Sequence, residues 1–173
     1  MKNKDLAGNT IYLNSSDNRY RYALGTKGKR TLYCIGINPS TATPENYDKT
    51  MEKVRNVSRR KDFDSFIMLN IYPLRSTDPD NLPENPDMSE HKRNVKAILG
   101  LIKNKSVVWT AWGNSITKKP WLAEYRDSIL SIIQAKKKDI SFVRMGDLTK
   151  KGQPWHPLFC PIAEFEPFLA PLQ

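Results

Sequence analysis

Apolar residues along the chain fall in short consecutive runs, separated by stretches of helical period. The segments "TLYCIGI", "SFIMLNIY", "SVVWTAW" and "ISFVRMG" are mostly apolar on successive positions, the pattern of strands buried on both faces. Ahead of them, "TIYLNSSDNRYRYALGT" alternates weakly around an Asn-Ser-Ser-Asp-Asn cluster, which predicts a hairpin or two short strands. Between the runs, Val95, Ile98, Leu99 and Ile102 repeat at helical spacing, with Ser89 in N-cap position. Leu122, Tyr125, Ile129, Ile132 and Ile133 form a second stripe that opens near Pro120 and closes on three lysines, which complement a helix dipole. A weaker helix is predicted from Asp48 to Arg60, with Met51 and Val54 inward.

Strand and helix therefore alternate, which predicts an α/β fold. The expected form is a three-layer α/β/α sandwich with a central four-stranded parallel sheet, plus the N-terminal hairpin. At 173 residues the chain suits a single domain over 1–173. Ligands of such sheets bind beyond the carboxyl ends of the strands. The segments at those ends are "NPST", "NIYPLRST", "WGNS" and "DLTKKGQPWHPLFCP". They bring Asn38, Ser40, Thr41, Asn70, Tyr72, Arg75, Asn114, Lys150, Lys151 and His156 to one edge. Amides read a base edge through paired donor and acceptor, and Arg or Lys suits phosphate. Each residue also has a plainer reading: Asn38 before Pro39 suits a turn, Asn70 suits closing a strand end, and His156 suits apolar packing.

Charge strengthens the nucleotide reading. The net charge is +10, and the segment "DPDNLPENPDMSE" holds five acids without a Lys or Arg, so the rest of the chain carries +15. Such an excess favours polyanions. Two cysteines and two histidines make a poor zinc set, so no metal and no cofactor is expected. With no apolar run of membrane-spanning length and no signal peptide, a cytoplasmic protein without membrane partners is expected. "GTKGKRT" lacks the spacing of a phosphate loop, and neither G-x-G-x-x-G nor G-x-S-x-G occurs.

"INPSTAT" followed by "YDKT", "LNIYPLRSTDP", "WTAWG" and "GQPWHPL" resembles, in order and spacing, a family of small bacterial and phage domains of unknown function with NPST, AWG and HPL motifs. The match runs from about residue 18 to about residue 160. That family in turn resembles a divergent branch of the uracil-DNA glycosylase superfamily. The second resemblance implies roles by position. Asn38 of "GINP" would position the attacking water, Asn70 of "MLN" would read the base, and His156 of the His-Pro motif would stabilise the departing base. Tyr72, Ser40 and Asn114 would add to the base pocket, Arg75, Lys150 and Lys151 would hold phosphate, and Asp48 and Thr41 would support the site. Asp48 also suits an N-cap. The pattern departs from the superfamily at several points. Asn38 cannot act as a general base, "HPLFC" lacks the longer continuation that carries an apolar DNA wedge, and the four cysteines of the iron-sulfur members are missing.

The implied function is a nucleobase-recognising domain, an N-glycosidase that releases a uracil-like or modified base from DNA or a nucleotide. The alternative is a protein that binds nucleotide or nucleic acid without cleaving it. A third class is an interaction protein of phage origin, with a protein partner on its basic face or acidic loop.

Overall fold

The computed structural model describes residues 8–168. It is an α/β structure in which a mixed seven-stranded sheet carries helices on both faces. The strands are β1 (Thr10–Asn14), β2 (Arg21–Thr26), β3 (Thr31–Gly36), β4 (Ser65–Asn70), β5 (Val107–Thr110), β6 (Ser141–Met145) and β7 (Phe165–Pro167). The helices are α1 (Lys49–Arg60), α2 (Met88–Leu101) and α3 (Pro120–Lys136). Strand order is β1-β2-β4-β3-β5-β6-β7. The four apolar runs give β3 to β6, which run parallel to one another.

The sheet is wider than the four strands expected. The N-terminal hairpin extends it, because β2 pairs antiparallel with β4 through Leu24↔Met68 and Gly25↔Ile67. At the other edge β7 pairs antiparallel with β6. Every residue of β4 is buried, as its unbroken apolar run requires. Alternation along β3 divides the core. Tyr33 and Ile35 face a cluster with Ile98 of α2 and Leu122 and Ile129 of α3. Leu32 and Cys34 face Met51, Val54 and Val57 of α1.

The helix ends follow local chemistry. Asp48 caps α1, its carboxylate accepting from Met51 N at 2.9 Å. The cap of α2 is Asp87 rather than Ser89: its Oδ1 accepts from Ser89 N at 2.8 Å and also from Glu90 N. A carboxylate at the cap adds favourable charge against the helix dipole, which a serine hydroxyl does not. The acidic loop is tied down. Lys118 pairs with Asp80, Lys119 pairs with Glu84, and Trp121 Nε1 donates to Pro83 O at 3.1 Å. No described helix is long and apolar enough to cross a membrane.

Candidate functional site

The ladders Gly36↔Asn70 and Ile35↔Thr110 bring the carboxyl ends of β3, β4 and β5 level, so the loops beyond them leave the sheet side by side. They enclose a cleft of about 580 Å³, a volume typical of small-molecule sites. Asn38 and Ser40 after β3, Asp48 at the head of α1, Asn70 at the end of β4, Asn114 after β5 and His156 after β6 all line it.

Asn70 sits deepest. Its side chain is fully buried, and neither Oδ1 nor Nδ2 has a partner in the protein. The strand end is closed instead by Asn94, whose Nδ2 donates to Asn70 O at 2.8 Å. A buried amide without partners costs on the order of 1–3 kcal/mol per unsatisfied group. A planar ligand edge that offers one donor and one acceptor removes that cost. Gly36 keeps the space beside it open, since a Cβ there would meet Met68 Cε at 2.6 Å and Asn70 Oδ1 at 3.2 Å.

Asn38 works at both of its ends. Nδ2 donates to Ser76 O at 2.8 Å and Pro39 O at 3.1 Å, which shapes the turn. Oδ1 is left as an acceptor for water or ligand. His156 Nδ1 accepts from Leu158 N at 3.3 Å, an arrangement that leaves the proton of the neutral ring on Nε2. Burial holds the His156 pKa below its ordinary value, with Asp48 pulling the other way, so the ring is a neutral donor at pH 7. Its position depends on Gly113. That residue has φ 67°, and a Cβ there would lie 2.9 Å from His156 Cβ. The Trp-Gly and His-Pro motifs are thus neighbours in space. Gly113 N also donates to Pro154 O at 3.0 Å.

Arg21, at the start of β2, is a wall residue to which the sequence did not point. It is 2% exposed. Its Nη1 donates to Ala42 O at 3.0 Å, while Nε has no partner. Among the described residues no carboxylate comes within 4.0 Å of it. Burial, helped by the Arg75 charge and opposed by Asp48, lowers its pKa to about 10, so it remains a cation at neutral pH. Asp48 is the one acid in the cleft wall.

Other expected residues lie elsewhere. Tyr72 is buried against Trp121, with ring centroids 4.9 Å apart, and its hydroxyl accepts from Asp87 N at 2.9 Å. It is outside the cleft because the chain leaves the sheet after Asn70. Arg75 is also outside the wall and spends its guanidinium on Ser40 O at 2.6 Å, Ala42 O at 3.2 Å and Tyr12 Oη at 2.6 Å. Thr41, Lys150 and Lys151 are exposed and outside the lining. Trp155 lines the cleft. Trp112 is buried and donates from Nε1 to Gln153 Oε1 at 3.1 Å. Leu158 and Phe159 add exposed apolar surface to the wall. Asn114 Oδ1 accepts from Thr149 Oγ1 at 2.7 Å, so its carbonyl is engaged. No group of three or more metal-ligating side chains lies together among the described residues.

No curated protein and no solved structure matches the chain. The family model described as "Protein of unknown function (DUF1643)" matches residues 21–158, a span that takes in Arg21, Asn38, Asn70, Gly113 and His156, and the chain therefore belongs to the DUF1643 family.

Proposed function

We propose that the cleft recognises a nucleobase and hydrolyses the N-glycosidic bond that holds it, in the manner of the uracil-DNA glycosylases that the sequence resembles. The observation that carries this reading is the Asn70 side chain, fully buried, lining the cleft and unpaired on both polar atoms. Such a group is costly in a folded chain unless a ligand completes it, and its paired donor and acceptor match the edge of a base. The order of a polar residue after β3, an asparagine ending β4 and a His-Pro loop after β6 supports kinship with the glycosylases.

In the proposed reaction the electron pair of the C–N bond departs with the base, towards the His156 Nε2–H donor. A water oxygen held by Asn38 Oδ1 bonds to the sugar carbon in its place. Asn38 takes no proton; the water's proton passes to the Asp48 carboxylate and then to the released base. A second reading, binding without cleavage, is favoured by one observation. The Asp48 carboxylate already caps α1 through Met51 N, and the wall holds no other acid.

The test is mass spectrometry of free base after incubation with uracil-containing, deaminated and modified DNA and with the corresponding nucleotides. Release by the wild type that is lost in Asn38→Ala and His156→Ala supports hydrolysis. Retention of a ligand without release gives the binding reading, and neither outcome removes both.

A further inference from the structure

We infer that the ligand carries a phosphate that pairs with Arg21, so that the cleft takes a free nucleotide rather than a base within a polymer. This rests on the nucleobase reading above and names the substrate class. Arg21 heads β2, antiparallel to β4, and its own N–H donates to Pro73 O at 2.8 Å. The residue therefore lies beside the strand end that carries Asn70, and its guanidinium reaches Ala42 O. The same cleft wall holds both.

The case is one of unbalanced buried charge. Arg21 is 2% exposed and makes one side-chain hydrogen bond, to a neutral carbonyl. Nε is buried without a partner, and Nη2 has none among the described residues. Arg75 presses a second positive charge on it, and Asp48 is the carboxylate that favours its charged form. Two guanidiniums thus face one carboxylate. A buried cation is stable when paired and hydrogen-bonded, and a planar guanidinium with free N–H groups fits a phosphate through two parallel bonds.

Burial also selects a terminal phosphate over a polymer backbone. A strand crossing the mouth needs exposed cations along its path. Here the cleft wall holds one exposed cation, Lys49, while Pro79 on the wall is flanked in sequence by Asp78 and Asp80, and the nearby Lys118 is taken up by Asp80, so there is no row of cations for a strand to follow.

Isothermal titration of the full chain with nucleosides, their monophosphates, ribose phosphate and a short single-stranded oligonucleotide tests the inference. For the base that binds, the monophosphate is expected to bind more tightly than the nucleoside by on the order of ten- to a hundredfold, the worth of a charge-assisted pair. Arg21→Gln abolishes that difference. The nucleoside series on the wild type does not depend on the variant folding, and Arg21→Lys with a checked melting curve gives a milder change that keeps the charge. Equal affinity for nucleoside and monophosphate overturns the phosphate subsite and leaves base recognition standing. Binding of ribose phosphate as tightly as any monophosphate overturns base recognition and with it the nucleotide assignment. An oligonucleotide that binds more tightly than the monophosphate overturns the choice of a free nucleotide.

Discussion

The two ends of the sheet treat charge in opposite ways. At the amino ends of β3 and β5, Lys29, Arg30, Lys103 and Lys105 surround a hollow of about 270 Å³ whose lining holds no acid. All four are exposed, so water solvates them and no partner is needed. At the carboxyl ends the charge is smaller, but Arg21 and Asn70 are sunk in the wall, Asn70 with neither polar atom paired and Arg21 with one bond to a neutral carbonyl and Nε unpaired. Exposed charge costs little and specifies little, whereas a buried polar group without a partner costs free energy that only a ligand can return. A net charge of +10 is therefore a poor guide to where this protein binds, and the two buried, incompletely bonded side chains are a better one.

The largest effect that would break this contrast is at Asn70. Asn70→Leu is expected to reduce ligand affinity by on the order of a hundredfold or more, because a site built around a hydrogen-bonding edge loses its reader. The same change should leave the melting temperature level or raise it, since two unsatisfied buried atoms disappear. Titration together with a thermal melt reads both, and a variant that binds normally would refute the base-reading role. Next is Gly113→Ala, which forces a side chain into the positive-φ region and against His156. It should cost about 1–3 kcal/mol of stability, measured by urea unfolding, and weaken activity further by shifting the imidazole.

A smaller effect concerns pH. Burial lowers the pKa of both His156 and His91, so in each case the unfolded chain takes up a proton more readily than the folded one. Their contribution is fully present above the unfolded value of about 6.5 and is lost as pH falls below it towards the folded values. Unfolding free energy should hold steady from neutral pH down to about 6.5 and then decline. His156→Gln should make the decline shallower. The smallest effect is at the opposite end of the sheet. Replacing Lys103 and Lys105 together by Gln should change stability by no more than about 0.5 kcal/mol and leave nucleotide affinity unmoved. A large loss of affinity there would mean that the solvated cations, not the buried ones, hold the phosphate.

What the sequence made legible follows the range of the forces involved. β3 to β6 are evident because burial on both faces writes a continuous apolar run, and α1 and α3 because each presents one stripe to the sheet. Asn38, Asn70, Asn114 and His156 were found at the cleft because strand ends in a parallel sheet share an edge. Arg21 was not, since nothing local separates it from the exposed Arg19 two residues earlier; its burial arises from β2 lying against β4, a pairing between distant segments. Tyr72 was expected in the pocket because it lies in the segment that follows β4, but there its ring packs against Trp121 and its hydroxyl serves Asp87. Short β7 carries too little pattern to announce itself, and its pairing with β6 is again a long-range event.

The unpaired amide of Asn70 also couples occupancy to lifetime. Any occupant that pairs with it binds the folded chain and not the unfolded one, so folding and binding draw on the same equilibrium. Proteases act on the unfolded form, and the rate at which this chain is degraded should therefore fall as its ligand becomes abundant. Its steady level in the presence of a protease would then act as a gauge of ligand supply.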